Sequence, residues 1–487
     1  MVLAVCCLAQ FMVVLDVSVV NVALPQMRQA LGLSVAGQQW VVNAYTLTFA
    51  GFLLLGGRLA DLFGRKRVFL FALGLFSLCS LAGGLAQSGT WLIAARAAQG
   101  AGGAVLAPAT LSVLTTSFTE GAQRRRALGA WSATAASGAA VGVLLGGVLT
   151  QLVDWRWVLF INVPIGIALV VAAASYLTES RGATARRSLD LPGAVSVTAG
   201  LAVLVYGIVG TNSHPWGSLR TVVSLALGAA LLGAFVVIET RLAAHPLVPF
   251  GVFRRRALSV ANAVAVTLGA AIFGMFFFAS LYLQRVNHYS PLRAGLAFLP
   301  AGLATLVGAL VSPLLVTRLG LRRQLVLGLL LGAGGLLWLA TLYPGAGYWG
   351  HLFGPCVVMG VGFGLSFVPL TIAATAGVPN DQAGLASGLI NTTRQVGGAL
   401  GLAVMAAVAT AVANHHGPGT HAAVSAVTSG YDHAFVVGAV ALAVGAGLAR
   451  LLPSERRSHT RSKPDAVETT EHHDAEANDP PRVTVDA

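Results

Sequence analysis

Residues 2–24 form the first apolar stretch of the chain, with the sequence VLAVCCLAQFMVVLDVSVVNVAL. An α-helix needs about 20 residues to cross a hydrocarbon core of about 30 Å, and this stretch is long enough to do so. No basic segment precedes it and it carries Asp16, so it predicts a retained membrane helix and not a cleaved signal peptide. A carboxylate inside a membrane helix is therefore the first distinctive feature of the sequence.

Similar apolar runs recur as far as residue 452. Of the 487 residues, 56% are hydrophobic and 10% are charged, and the mean hydropathy is +0.78. Runs of this length exclude a membrane β-barrel, whose strands alternate over about ten residues. The sequence predicts an all-α integral membrane protein of about fourteen helices, starting near residues 2, 38, 67, 91, 127, 156, 191, 221, 257, 294, 323, 350, 394 and 433.

The net charge of +13 is concentrated in alternate loops. The loops after the second, fourth, sixth, eighth and tenth helices hold 17 basic residues, and the opposite loops hold five, which are Arg28, Arg156, Arg220, Arg285 and Arg293. Cytoplasmic loops collect Lys and Arg, so both termini are predicted to be cytoplasmic in a multi-pass protein of the cell membrane. The basic balance thus indicates topology and contact with the lipid bilayer. No nucleic-acid partner is expected.

Other composition features narrow the chemistry. The four cysteines lie inside apolar runs, where a thiol behaves as a small hydrophobe, and no disulfide is expected. Neither of the two lysines, Lys66 and Lys463, lies in a phosphate-binding GxxxxGK[ST] pattern. The acidic residues before the tail are scattered singly. We therefore expect no enzyme activity, no cofactor and no metal site.

A weak internal repeat suggests how the helices are grouped. At an offset of 255 residues, Gly142 and Gly146 match Gly397 and Gly401. Parallel repeats of this kind are typical of one large class of secondary transporter. The prediction is a six-helix half at residues 1–178, two extra central helices at 179–256, a second six-helix half at 257–452 and a disordered cytoplasmic tail at 453–487, which is polar and charged.

Asp16 and Arg96 are predicted to form a pair inside the membrane. Asp16 lies about 21 Å from the cytoplasmic end of the first helix, and Arg96 about 8 Å below the outer surface, so the two depths agree. Pairing favours the ionised carboxylate, whereas burial without Arg96 favours the protonated one. These residues are thus candidates for proton coupling, with a static structural ion pair as the alternative.

The loop between the second and third helices, residues 57–67, has the sequence GRLADLFGRKR. It resembles the GxLaDrxGrkxxl motif of the major facilitator superfamily, with Leu62 where that family often has Arg. The resemblance implies a cytoplasmic gate loop that holds the two halves together on the inner side. Its candidate residues are Gly57, Asp61, Gly64, Arg65 and Lys66.

Three further segments resemble one branch of that superfamily, the fourteen-helix drug:proton antiporters. LDVSVVNVALP at residues 15–25 is similar to the branch's LDxTVVNVALP signature, RAAQGAGG at 96–103 to RxxQGxGg, and WRWVLFINVPIG at 155–166 to WRWxFxINxPxG. The resemblance implies a major facilitator fold and a role in proton transfer for Arg96.

Gly138, Gly142, Gly146 and Gly147 lie in the fifth helix, where glycines allow close helix approach. They also resemble the antiporter motif GxxxGPxxGG, with Val143 in place of Pro. That proline is thought to help exporters resist leak, so its replacement weakens the inference of transport direction.

Several polar residues inside the helices are candidates for a substrate cavity, although each can equally satisfy a neighbouring helix. They are Asn21, Gln38, Asn43, Tyr45, Gln284, Asn391, Arg394 and Gln395. Glu239, near the cytoplasmic end of the eighth helix, is instead expected to extend to water.

These patterns predict a monomeric, proton-coupled exporter of drugs, antibiotics or secondary metabolites, with a small molecule and protons as its partners. A proton-coupled uptake symporter on the same scaffold is the alternative. A membrane enzyme or channel is a second alternative, disfavoured by the scattered carboxylates.

Overall fold

A computed structural model gives the arrangement of the helices. It describes residues 1–118, 122–180, 190–211, 214–243, 246–376, 378, 383–414 and 420–453. The predicted tail lies outside the described residues, apart from Pro453.

Fourteen long helices occupy the described part of the chain. The first seven are α1 (Val2–Leu31), α2 (Val35–Phe63), α3 (Arg65–Gly84), α4 (Gly89–Ser117), α5 (Ala122–Leu152), α6 (Asn162–Tyr176) and α7 (Leu191–Gly210). The next seven are α8 (Leu219–Val237), α9 (Arg256–Leu281), α10 (Pro291–Leu319), α11 (Leu321–Leu339), α12 (Phe353–Thr375), α13 (Ala383–Asn414) and α14 (Thr420–Ala449). Short π-helical turns, Ile238–Leu242 and Tyr282–Val286, extend α8 and α9.

A helix occurs at each of the fourteen predicted positions. Within the described residues, 12 helices are long and apolar enough to cross a membrane. The other two are α5, whose described residues include the apolar run Val141–Leu152, and α11, whose first turn carries Arg322 and Arg323. The all-α membrane prediction is confirmed.

The predicted starts of α13 near residue 394 and of α14 near residue 433 were wrong, because these helices begin at Ala383 and Thr420. The polar residues that suggested a loop lie within α13. Arg394 Nη2 donates to Asn391 Oδ1 at 2.9 Å, and Thr393 Oγ1 donates to Asn262 Oδ1 of α9 at 2.7 Å. Polar side chains that find partners inside the bundle do not end a membrane helix.

Side-chain caps set several helix starts. The Ser34, Ser88, Ser218 and Ser290 hydroxyls and the Asp190 carboxylate each accept a hydrogen bond from the backbone N–H three residues later. These bonds satisfy donors that the first turn of a helix leaves unpaired.

Helix packing repeats after eight helices. In the first part of the chain α1 packs on α5, and α4 packs on both α2 and α3; later, α9 packs on α13, and α12 packs on both α10 and α11. The two sets meet where α5 contacts α10 and where α2 contacts α13. Helices α7 and α8 pair with each other, and α7 lies against α2 and α13.

Glycines allow the closest of these contacts. A Cβ atom added to Gly142 would lie 2.9 Å from the Leu15 carbonyl oxygen of α1, and one added to Gly146 would lie 2.8 Å from that of Val19. Real Cβ atoms do not approach so closely, so these positions of α5 require glycine at this helix separation.

Pro25 shapes the contact between α1 and α9. Proline has no N–H, so the carbonyl of Asn21, four residues earlier, loses its partner within the helix. Ser280 Oγ of α9 donates to that carbonyl at 3.1 Å, and Gln284 Nε2 donates to the adjacent Val22 carbonyl at 2.9 Å. The carbonyl that loses its hydrogen bond within α1 therefore becomes a contact point for α9.

Candidate functional site

Asp16 is the centre of a buried polar network. Its side chain is 0% exposed and that of Arg96 is 2% exposed. Arg96 Nη1 donates to Asp16 Oδ2 at 2.6 Å, while Gln99 Nε2 and Asn162 Nδ2 donate to Oδ1 at 2.9 and 2.8 Å. The carboxylate is thus held by one cation and two amides from α4 and α6.

The local sequence places each donor. Arg96 and Gln99 are three residues apart on α4, so they lie on one face, and Arg96 Nη1 also donates to Gln99 Oε1 at 2.7 Å. Asn162 begins α6 and donates to Ser80 Oγ of α3 at 3.0 Å. Ser80 in turn donates to the Leu159 carbonyl at 2.8 Å, which ties α3 to the start of α6.

Helix α2 covers the cation from the other side. The Arg96 guanidinium carbon lies 4.2 Å from the centroid of the Tyr45 ring, and Arg96 Nε donates to the Val41 carbonyl at 3.4 Å. This cation–π contact and the ion pair together compensate for burying the charge.

Three of the predicted cavity residues lie on this part of α2, and all are buried. Within the described residues, the Tyr45 hydroxyl, Gln38 Nε2 and both polar atoms of the Asn43 side chain have no hydrogen-bond partner. Buried polar atoms are normally paired, so unpaired ones beside an ionisable network are the type of group that a polar ligand satisfies.

The other predicted cavity residues are split between two places. Asn21 and Gln284 lie at the α1–α9 contact, where Asn21 Nδ2 donates to the Val17 carbonyl at 2.9 Å. Arg394 lies on α13, bonded to Asn391, with its guanidinium carbon 5.3 Å from the Phe367 ring centroid. Gln395, the next residue, is half-buried.

The predicted gate loop is closed by a residue that sequence reasoning missed. Gly64 has φ 102°, in the region that favours glycine. The Glu179 carboxylate lies over it and accepts hydrogen bonds at 3.3 Å from the backbone N–H groups of Lys66 and Arg67, which begin α3. A carboxylate at a helix N-terminus complements the unpaired donors and the dipole. The side chain of Asp61 lies outside the described residues.

The predicted extent of the loop, residues 57–67, was wrong, because Gly57 lies within α2, Arg65 begins α3 and only Gly64 separates the two helices. A Cβ at Gly57 would lie 3.8 Å from Pro108 of α4, an ordinary contact, so this glycine is not required by space alone. The Arg65 N–H donates to the Ser180 carbonyl at 3.0 Å. The segment after α6 therefore folds over the start of α3.

The four glycines of the α5 motif face two different helices. Gly138, Gly142 and Gly146 face α1, and a Cβ at Gly138 would lie 3.2 Å from the Phe11 carbonyl oxygen. Gly147 faces α10, where its Cβ would lie 2.9 Å from the Leu292 Cα. The motif is thus the surface on which α5 contacts α1 and α10.

The prediction for Glu239 was wrong. Its side chain is 4% exposed, and its Oε2 accepts a hydrogen bond from the Val248 N–H at 3.1 Å. The reason is that the chain after α8 folds back over the helix end and supplies a backbone donor, which replaces water.

The sequence contains signals for the missed partners of Asp16. Gln99 and Asn162 lie within the motif segments at residues 96–103 and 155–166, and Gln99 is one helical turn from Arg96. Ser80 and Glu179 had no such signal, because their roles depend on helices that meet only in the folded protein.

The comparisons with known proteins agree with this arrangement. Residues 6–402 match the model of the Major Facilitator Superfamily. The chain belongs to this family. It is 47% identical to the cephamycin export protein CmcT of Amycolatopsis lactamdurans, over 94% of this chain and 93% of that protein. It is 40% identical to the puromycin resistance protein pur8 of Streptomyces alboniger, over 92% and 90% of the two chains.

Solved structures of this family support the fold. A bacterial homologue of the human lysosomal transporter Spinster, in an inward-facing and unoccupied conformation, has a TM-score of 0.68 at 17% identity, covering 93% of this chain and 97% of that one. A mutant of the nucleoside transporter NupG has a TM-score of 0.65 at 12% identity, covering 93% and 100%. The predicted family and the major facilitator fold are confirmed.

Proposed function

We propose that this protein exports antibiotics or related secondary metabolites across the cell membrane, driven by protons that move inward. Relatives of 47% and 40% identity over nearly the whole chain are named as a cephamycin export protein and a puromycin resistance protein. Their names support an antibiotic-class substrate, a small molecule that leaves the cell.

The proposal depends on one observation: Asp16 of α1 is completely buried and is paired with Arg96 of α4. A carboxylate at membrane depth is costly, and it is retained where it serves proton or ion movement. Two amides, from Gln99 and Asn162, hold the carboxylate in place without adding charge.

In the proposed cycle a proton from outside binds the Asp16 carboxylate and neutralises it. The ion pair with Arg96 is then weakened, and the guanidinium keeps its contacts with the Gln99 side chain and the Tyr45 ring. Return of Arg96 to the carboxylate favours the ionised form and releases the proton to the cytoplasm. The unpaired polar atoms of Gln38, Asn43 and Tyr45 lie on the helix that covers Arg96, so substrate bound there would respond to the same movement.

The proposed moving parts are the two six-helix halves, residues 1–178 and 257–452, with residues 179–256 forming the two helices between them. The repeated packing supports this division. Both termini are proposed to be cytoplasmic because basic loops alternate with neutral ones. The gate loop then lies on the cytoplasmic side, and we propose that the protein acts as a monomer.

The test uses purified protein in liposomes that contain a pH-sensitive dye, with an imposed proton gradient and a panel of cationic, neutral and anionic antibiotics. We expect substrate-evoked proton movement opposite to drug movement, and its loss in Asp16→Asn. Asp154→Asn is the matched control, because Asp154 is an exposed acid in the loop before α6. Movement of drug and proton in the same direction would contradict the exporter and favour the uptake symporter.

A further inference from the structure

A recess of about 650 Å³ lies at the end of α1, where that helix meets the π-helical end of α9. This volume is within the range of sites for drug-sized molecules, about 300–1,000 Å³. Its lining combines two arginines, Arg28 and Arg285, with three glutamines and Tyr289, and none of the lining residues is acidic. The recess is therefore polar, positively charged and of a useful size.

The position of these arginines contrasts with the rest of the outer loops. The proposed outer side carries only five arginines. Two line the recess, and a third, Arg293, has its guanidinium carbon 3.9 Å from the centroid of the Tyr289 ring at the edge of the recess. Three of the five outer arginines thus lie close together. The rule that outer loops carry few basic residues does not explain this clustering.

The two remaining outer arginines have structural partners. Arg156 lies 3.7 Å from the Asp154 carboxylate and donates to the Ala86 carbonyl at 3.2 Å. Arg220 lies over the Tyr206 ring at 5.2 Å. Arg156 therefore has an acidic partner, whereas Arg220, like Arg293, has a neutral aromatic one.

The recess arginines have only neutral partners. Arg28 Nε donates to the Leu33 carbonyl at 3.0 Å, and Arg285 Nη2 donates to Gln38 Oε1 at 2.7 Å. In the described part of the chain no carboxylate forms an ion pair with either of them, and the two positive charges repel each other. A bound anion would remove this repulsion and use the guanidinium donors that remain.

We propose that the recess binds the carboxylate of an anionic drug on the outer face, so that the exporter handles carboxylate-bearing antibiotics. The inference rests on the proposed function and deepens it by naming the substrate class. Gln26 and Gln284, which bond to each other at 3.4 Å, supply further amide groups beside the two cations. Through Gln284 and Gln38 the recess also contacts α1 and α2, the helices that hold Asp16 and Tyr45.

The first experiment measures direct binding to protein in nanodiscs of zwitterionic lipid. The probes are cefoxitin, which carries one carboxylate, and its neutral methyl ester. We expect the doubly substituted Arg28→Gln, Arg285→Gln protein to bind cefoxitin at least tenfold more weakly than the parent, and the ester equally well. Arg285→Lys should keep most of the affinity, and Arg220→Gln, at the unrelated outer arginine, should keep all of it.

Labelling places the binding in the recess. Gln29 is exposed and lines the recess, so Gln29→Cys should react with a membrane-impermeant maleimide, and cefoxitin should slow the reaction while the ester should not. The parent, whose four cysteines all lie in helices, gives the background labelling.

Three results would overturn the assignment. The first is equal affinity of the parent protein for cefoxitin and its ester. The second is a loss of cefoxitin affinity in Arg220→Gln equal to that in the double variant. The third is loss of cefoxitin binding when phosphatidylglycerol is added, which would assign the recess to a lipid headgroup. Proton movement evoked by puromycin in the same protein tests export separately. Anion binding without any drug-evoked proton movement would contradict the proposed function and leave the recess site standing.

Discussion

Gly142 and Gly146 bring α5 onto α1 in the first half, and Gly397 and Gly401 bring α13 onto Val266 and Ala270 of α9 in the second. Beside the first contact lies the buried Asp16 with its cation and amides. Beside the second lie Asn262 and Thr393, which bond to each other, and Arg394, which bonds to Asn391 and has no carboxylate partner within the described residues. The repeat therefore preserves how closely the helices pack but not the paired carboxylate, and this difference supports the proposal that Asp16 couples transport to protons.

The largest effect should come from moving the carboxylate between the halves. The double variant Asp16→Asn, Asn262→Asp places an acid at the α9–α13 contact, where Arg96, Gln99 and Asn162 are absent. We expect complete loss of drug-evoked proton movement in liposomes. Restored coupling would show that a carboxylate in either half suffices and would contradict the assignment.

Added side chains should disturb both contacts. Gly142→Val and Gly401→Val each force a side chain against the backbone of the facing helix, and overpacking of this kind costs about 1–3 kcal/mol. Both should lower the midpoint of thermal unfolding in detergent. Gly129→Val, on α5 with nothing within 4 Å, is the control. A lower midpoint in only one of the two variants would show that the two helix contacts do not contribute equally to stability.

A smaller effect is expected at Asn162. Asn162→Ala removes one donor from Asp16, and a hydrogen bond to a charged group contributes about 1.5–3 kcal/mol. The Asp16–Arg96 pair is then held by one amide fewer, so turnover should fall by roughly tenfold. Stopped-flow measurement of dye response gives the rate. Thr393→Ala, at the second-half contact, should leave it nearly unchanged, and an equal loss there would argue against a special role for the first half.

The smallest effect should come from the loops. Gly64 and Gly320 both adopt positive φ, 102° and 80°, before helices that begin with basic residues. A Cβ at Gly64 would meet Glu179, whereas one at Gly320 would have nothing within 4 Å. Glu179→Gln should destabilise the protein by about 0.5–1 kcal/mol through the weaker helix cap. The measurement is thermal unfolding, with Asp154→Asn as an exposed-acid control. An unchanged midpoint would show that Glu179 does not stabilise the start of α3.

The fold was predictable because its signals are local. A membrane helix needs only a continuous apolar run, and loop arginines indicate orientation without any knowledge of packing. The Asp16–Arg96 pair was also accessible from sequence, since depth in the membrane follows from residue number along straight helices. Within the residues that the structure describes, twelve helices satisfy the length and composition needed to span a membrane.

The missed features depend on contacts between distant segments. Glu179 caps a helix that begins more than a hundred residues earlier, and Ser80 orients Asn162 from another helix. Glu239 is covered by chain that follows it, and Arg394 pairs within its own helix. In each case a polar residue has a partner that residue type and spacing do not indicate. The sequence alone therefore predicted exposure to water for Glu239 and a loop around Arg394.

The proline in α1 limits the number of hydrogen bonds that must break when α1 and α9 separate. With no N–H at Pro25, the Asn21 carbonyl can leave Ser280 without any helical hydrogen bond being broken. The two side-chain bonds that dock α9, to Asn21 and Val22, contribute about 0.5–1.5 kcal/mol each. One proton crossing a potential of about 100 mV releases about 2.3 kcal/mol. The two side-chain bonds between α1 and α9 therefore contribute an energy of the same order as one proton would supply to the proposed transport cycle.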